Sequence, residues 1–429
     1  MKRFLSLLLA LFLGGFVFSE AQMAVPTTPQ LTTLHGFTGG TDGNAPTVRL
    51  VADKTGALYG TTTNGGTQGL GSVFQLTPPA IAGGTWGYSV LYSFGSGTDG
   101  QIPQSSLFID GKGNLYGTTY QGGTANLGTV YKLTSPATAG GAWTESVLHS
   151  FAGGTDGAHP FGGVILQKGA LYGTTQEGGI GICSVRKISC GTVFQLTPAP
   201  GGVLTETVLY NFTGHADGGF PDSGLTADPT GALYGTTEFG GSLNPRYGGS
   251  IFQLTPPATS GGAWALNPLY DFFSTGMPGY YGDLVLDKTG ALYGTSWSGG
   301  SSGWGFAYKL SPPTVTGGAW TLSDLWDFSG GVDGSIPFGG LILSGGALYG
   351  TTYSGGNLSL CNAIGCGVVY KLSRTASGPW KHTLLYQFQG GNDGATPQGG
   401  LLRRSGTLYG TTSAGFAPAP GGGSVFSLK

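Results

Sequence analysis

Charged side chains make up only 9% of this 429-residue chain, against about 25% in an average soluble domain. The two signs nearly cancel, at a net −2, and neither gathers into a run. There is no basic patch for nucleic acid and no polybasic segment for an anionic lipid surface, so neither is expected as a partner. Helical periodicity is missing as well. Beyond the first 20 residues no useful stretch repeats apolar side chains every 3.6 positions, and none is apolar enough to span a membrane. No His-Glu-x-x-His pair or phosphate-binding loop occurs. No catalytic residue is assigned, and no cofactor is expected.

The one long apolar run is N-terminal. Lys2 and Arg3 precede it, it extends from Phe4 to Phe18, and Ser19-Glu20-Ala21 follows as a small-x-small cleavage site. This is the pattern of a secretory signal peptide, residues 1–21. The run falls short of the ~20 residues a membrane span needs. The mature chain is expected to begin near Gln22, with 22–30 as a linker. It is expected to be secreted, periplasmic or at the cell surface, with no membrane insertion after cleavage. No cysteine stands at the cleavage site and no sorting tail follows Ser427-Leu428-Lys429, so no anchor is expected.

Glycine, by contrast, is abundant at 86 residues, and 51 Phe, Tyr and Trp residues are spread regularly among them. A disordered chain is poor in aromatics, so the glycine reads as turn chemistry in an all-β fold. One phrase, Leu-Tyr-Gly-Thr-Thr or a near copy, recurs seven times, with its tyrosine at Tyr59, Tyr116, Tyr172, Tyr234, Tyr293, Tyr349 and Tyr409. Around each copy lie four short β-branched or aromatic runs bounded by glycine or proline, which is the strand signature. We letter them a to d. The b run is Leu-Tyr-Gly-Thr-Thr itself, and the c run resembles Val73-Phe74-Gln75-Leu76-Thr77. The d run opens near a tryptophan (Trp86, Trp143, Trp264, Trp320, Trp380) whose recurrence marks a packing role. The glycine after the tyrosine is expected to let neighbouring sheets approach closely.

Four antiparallel strands repeated radially make a propeller blade. Residues 31–429 are therefore expected to form one seven-bladed β-propeller of ~58-residue repeats. The chain begins on a d-type run, Leu31–Phe37, and ends on a c-type run, Ser424–Leu428. The first strand thus fits the vacancy in the last blade and closes the ring.

Leu-Tyr-Gly-Thr-Thr-x-x-Gly-Gly, then Gly-Ser-Val-Phe-Gln-Leu-Thr-Pro, then Ser-Phe-x-Gly-Gly-x-Asp-Gly, resembles the GloVer tandem repeat, the choice-of-anchor repeat family of exported bacterial proteins. The resemblance covers residues 31–429. It implies an exported bacterial protein and no particular molecular function. The chain departs from the family pattern in showing no anchor.

The d–a and b–c loops are expected on one face of the ring, the a–b and c–d turns on the other. Asp42, Asp99, Asp156, Asp217, Asp333 and Asp393 recur in the d–a loops, each followed by glycine. One carboxylate per loop is far from the six or so oxygens of a calcium site, so these residues read as turn caps. Cys183 and Cys190 lie in one b–c loop and Cys361 and Cys366 in another. Local pairing needs only a loop fold, and export supplies the oxidising compartment, so two local disulfides are expected and no metal site. His35 and His149 stand where other copies have Tyr92, Tyr210 and Tyr386, and read as packing variants.

The repeat breaks in blade five. Its d–a loop loses the Asp-Gly and carries Tyr280 and Tyr281, its b strand is followed by Trp297, and its b–c loop contains Trp304. The preceding b–c loop contains Arg246 and Tyr247. Aromatic platforms beside a guanidinium suit sugar rings or peptides. These six residues are the candidate ligand site of a recognition module for an extracellular polysaccharide or protein. A glycoside hydrolase or lyase built on acids outside the repeated aspartates, mainly Glu145, Glu177, Glu206, Glu238, Asp222 and Asp283, or a structural envelope protein, are the alternatives.

Overall fold

The computed structural model describes residues 29–81, 83–138, 140–183, 188–199, 204–240, 248–259, 261–272, 282–315, 317–374, 378–415 and 421–429. The signal peptide, nearly all of the linker, and Arg246, Tyr247, Tyr280 and Tyr281 lie outside the described residues.

Seven four-stranded antiparallel sheets form the expected β-propeller, with no α-helix among the described residues. In blade one, strands a to d are Val51–Ala52, Leu58–Thr62, Ser72–Thr77 and Gly87–Ser93, from the axis outward. Blade seven takes Leu402–Arg404, Thr407–Thr412 and Ser424–Leu428 from the end of the chain and Leu31–Gly36 from its beginning. Leu31 pairs with Leu428 and Gly36 with Ser424, so the first strand is the outer strand of the last blade. Ring closure by this exchange leaves no blade short of a strand.

The glycine of Leu-Tyr-Gly-Thr-Thr acts within a blade, not between blades as the sequence suggests. Gly60 pairs with Phe74, Gly173 with Phe194 and Gly410 with Phe426 on the adjacent c strands. A Cβ at these glycines would lie 2.5 or 2.6 Å from the partner ring. Because the glycine leaves room, the c-strand ring lies flat over it. That ring then meets a phenylalanine at the end of the preceding blade's d strand. Phe37–Phe74, Phe94–Tyr131, Phe151–Phe194 and Phe388–Phe426 have ring centroids 5.0 to 5.3 Å apart, in edge-to-face contact. An equivalent pair fills every blade interface, and all these rings are fully buried. The tryptophans pack, as expected, and their partners lie in the neighbouring blade: Trp86 on Tyr409, Trp143 on Tyr59 and Trp264 on Tyr172, at 6.0 or 6.1 Å.

The threonine pair does more than favour a pleated strand. The first hydroxyl donates to the inner backbone of the next blade, as from Thr118 to Gly162 O at 3.0 Å and from Thr411 to Val48 O at 3.0 Å. The second shares a hydrogen bond with the first residue of strand c, as between Thr62 and Ser72 at 2.8 Å. On the opposite face, four a–b turns are built on an aspartate. Asp53 accepts from the Thr55, Gly56 and Ala57 N–H groups and from the Tyr59 hydroxyl. Asp110, Asp228 and Asp287 do the same in blades two, four and five. Partial burial pushes these carboxyls up, and the hydrogen bonds outweigh it, so all four sit below the usual carboxylate range.

Candidate functional site at the mouth of the channel

The axis is nearly shut. The inner strands approach through glycine: a Cβ at Gly399 would lie 2.5 Å from the Val48 carbonyl carbon, and one at Gly339 2.8 Å from Gly399 O. Arg49 of blade one reaches Asp283 of blade five, with Nη2 3.6 Å from Oδ2, and Asp283 also accepts the Gly224 N–H at 2.9 Å. Among the described residues, an axial cavity of about 20 Å³ is lined by Ser106, Asp222 and Asp283 among others. That is room for roughly one water, so a larger ligand must sit at the mouth and cannot pass through.

Among the described residues, two positions of the repeat surround that mouth on the loop face. One is the residue after the threonine pair and the other lies three before the leucine or valine that leads into strand a. In blade six these are Tyr353 and Phe338, with ring centroids 5.3 Å apart. Trp297 of blade five packs on Phe338 at 6.1 Å. On nearly the opposite side, Tyr120 of blade two stacks on His159 at 4.6 Å and meets Phe161 at 6.2 Å. His159 Nδ1 is 2.9 Å from Tyr120 O, which holds the stack in place. Between the clusters the same positions carry polar groups. The Tyr120 hydroxyl donates to Gln176 Oε1 at 3.3 Å and Gln398 donates to Ser413 Oγ at 2.8 Å. Thr47 and Thr63 share a hydrogen bond at 3.2 Å. In blade four both positions are acidic, Asp222 and Glu238, and both are buried.

Of the six candidate ligand residues, Trp297 and Trp304 lie within the described structure. Trp297 is at the mouth, and its indole Nε1 is buried without a hydrogen-bond partner. Trp304 is elsewhere: it is half exposed and lies against Gly330, at the outer start of the loop into blade six. Tyr120, Phe161, Phe338 and Tyr353 escape a reading that follows only the break in blade five. Their signal is variation at a fixed place, since the residue after Thr-Thr changes from Thr63 through Tyr120, Gln176, Glu238, Trp297 and Tyr353 to Ser413.

The aspartates of the d–a loops turn inward as caps. Asp217 accepts the Thr213 N–H at 2.8 Å, the Thr213 hydroxyl at 2.6 Å and the Tyr210 hydroxyl at 3.0 Å. Tyr92 and Tyr386 serve Asp99 and Asp393 in the same way, His149 serves Asp156 and Trp326 serves Asp333. His35 is 3.6 Å from Asp42. His149 therefore does more than pack, standing in for the tyrosine as the aspartate's partner, whereas His35 packs as expected, stacked on Tyr88 at 3.7 Å. Glu145 and Glu206, on the d strands Thr144–Ser150 and Leu204–Asn211, approach this belt from the next blade. Burial, and then the charge of Asp99 or Asp156, pushes each up to about 7. Both lie far out on their blades and away from the mouth.

Cys183–Cys190 and Cys361–Cys366 are disulfides, with Cα atoms 5.2 and 5.3 Å apart. Each ties a b–c loop against the following d–a loop, where a Cβ at Gly214 or Gly390 would meet sulfur at 2.5 or 2.7 Å.

The Gloeobacter/Verrucomicrobia repeat model matches residues 15–248, 138–360 and 226–429 in three overlapping passes. The chain belongs to the Gloeobacter/Verrucomicrobia repeat family. No curated protein matches it. An ulvan lyase, a polysaccharide lyase solved with a bound GlcA(1-4)Rha3S unit, shares the propeller with a TM-score of 0.51 and 10% identity. That likeness covers 92% of this chain and 95% of the lyase. A gluconolactonase from Xanthomonas campestris is similar at a TM-score of 0.41 and 13% identity, over 92% of this chain and 98% of the other. A glucose dehydrogenase-like putative oxidoreductase from Thermus thermophilus gives 0.41 and 17%, over 94% and 100%. At these identities the likeness is one of fold, and the chemistry of this repeat protein must be argued from its own side chains.

Proposed function

We propose that this repeat protein is an exported polysaccharide-recognition module that binds sugar rings at the mouth of its channel. The observation that carries the reading is the pair of aromatic clusters, Tyr120–His159–Phe161 and Trp297–Phe338–Tyr353, facing each other across the mouth. Sugars present apolar C–H faces to such rings, and their hydroxyls need polar partners. Gln176 and Gln398 lie between the clusters and supply polar partners for sugar hydroxyls. The two disulfides support export, because such bonds persist in oxidising compartments.

The test is a binding screen of the mature protein against immobilised polysaccharides, beside Trp297→Ala and Tyr120→Ala. Retention on at least one glycan, weakened tenfold or more in both variants at an unchanged melting midpoint, is expected. Equal retention of wild type and variants would place the ligand elsewhere.

A second reading, glycoside cleavage, rests on Asp222 and Glu238. They occupy in blade four the two positions whose side chains touch in blades one and seven, and both are buried. Paired carboxyls beside a bound sugar are the minimum for hydrolysis. Release of reducing ends that stops in Asp222→Asn and Glu238→Gln would establish it.

A further inference from the structure

The described cations avoid the loop face. Arg49 is the one cation there among the described residues, and it is paired with Asp283. The others lie toward the opposite face, where the a–b turns surround the axis. Lys54, Lys112, Lys168, Lys288, Arg403 and Arg404 all stand on such turns, and every one except Arg404 is exposed. The four aspartates of these turns keep their charge, but they are half-buried and turned onto turn N–H groups and tyrosine hydroxyls, so the cations outnumber them and stand outermost. A surface with no basic run in the sequence is therefore basic in three dimensions.

These residues line a trough across blades seven, one and two. One section, about 610 Å³, is lined by Trp86, Tyr409, Arg404 and Lys429. The next, about 570 Å³, is lined by Lys54, Lys112 and Arg404 beside the Asp53 and Asp110 turns. Thr55 and Arg404 line both sections, so the two adjoin at Arg404. Arg404 is fixed at its middle: its guanidinium donates to Asp53 O and, at 2.8 Å, to Lys54 O. That leaves further guanidinium N–H groups for a ligand. The aromatic end is half-buried and edge-to-face, Trp86 on Tyr409 at 6.0 Å.

We propose that this trough binds a linear anionic polysaccharide, its carboxylate or sulfate groups paired with Lys429, Arg404, Lys54 and Lys112 and a sugar ring laid on Trp86 and Tyr409. Several cations in line, with an aromatic platform at one end of a concave groove, fit a flexible acidic chain. A flat lipid surface would require cations on protruding turns without the groove. The protein then has two glycan-binding faces, and the second is independent of the channel mouth.

The experiment is affinity electrophoresis of the mature protein in gels carrying polygalacturonate, dextran sulfate or neutral dextran, with sedimentation on phosphatidylserine/phosphatidylcholine vesicles alongside. Retardation by at least one of the two polyanions, none by dextran, and loss of retardation as salt rises are expected. Lys54→Gln/Lys112→Gln, on two exposed turns, should weaken it about tenfold, taking each lost pairing as a solvent-exposed ion pair. Lys381→Gln, on a d strand outside the trough, and Trp297→Ala, at the mouth, should leave it unchanged. Equal retardation by dextran, an equal loss in Lys381→Gln, or sedimentation with vesicles without retardation by either polyanion would each overturn the proposal. Loss of mouth binding in Trp297→Ala with polyanion retardation intact separates the two faces.

Discussion

The Tyr210 hydroxyl donates to Asp217 Oδ2 at 3.0 Å, seven residues further along the chain and inside the loop that enters blade four. The carboxylate is 9% exposed and also holds the Thr213 N–H and hydroxyl. With the His215 N–H, Asp217→Ala removes the acceptor for four donors at once. A loss of about 2–4 kcal/mol in chemical denaturation is expected, since each donor left without a partner costs roughly 1 kcal/mol or more. Tyr210→Phe removes one hydrogen bond and strands no backbone donor, so it should cost about 1 kcal/mol.

Gly173 has no left-handed backbone requirement, yet a Cβ there would lie 2.5 Å from the Phe194 ring. Gly173→Ala is expected to cost about 1–3 kcal/mol by overpacking. The double variant Gly173→Ala/Phe194→Leu should recover part of that loss, because the ring that clashes is gone. Urea midpoints of the three proteins check this coupling.

Glu145 and Glu206 hold their protons up to about pH 7 in the folded chain, whereas a free glutamate releases its proton near 4.5. An acid whose pKa is raised by folding adds stability below its unfolded value and loses it as pH climbs through the folded value. The melting midpoint should therefore fall between pH 4.5 and pH 7. Solvent screening at these half-buried sites holds the effect to about 1 kcal/mol each. Glu145→Gln/Glu206→Gln should flatten that slope. The aspartates of the a–b turns act in the opposite sense. Their lowered pKa values add stability above the usual carboxylate range, and it is lost as pH falls below that range.

Reduction of the two disulfides should leave the blades intact. Each closes a short loop, worth about 2 kcal/mol by chain entropy. Cys183→Ser/Cys190→Ser is expected to lower stability by about that amount and to loosen the loops into which Gly214 packs. Faster hydrogen exchange confined to residues 178–183, 188–191 and 212–219 would report it.

Much of the fold is legible in the chain. Leu-Tyr-Gly-Thr-Thr counts the blades, and the unmatched runs at Leu31 and Ser424 point to the closure that Leu31–Leu428 pairing shows. The spacing of the cysteines limits them to local partners. The seven-residue offset from Tyr210 to Asp217 is readable too, since every copy with the aspartate has a ring with a polar tip there. The role of the repeat glycine is not readable that way, because its neighbour is set by cross-strand register and not by sequence distance.

By itself, then, the sequence determined the repeat, its strand order, the way the ring closes and the turns that hold its loops, all of which follow from residues close together in the chain. Only the tertiary structure decided where ligands can meet the protein. Trp297 and Phe338, or Arg404 and Lys54, are far apart in sequence and become neighbours because the blades pack radially around one axis. Radial packing places equivalent positions of every repeat in one ring. A property carried once per repeat, a single aromatic or a single lysine, becomes a surface only when the ring is closed.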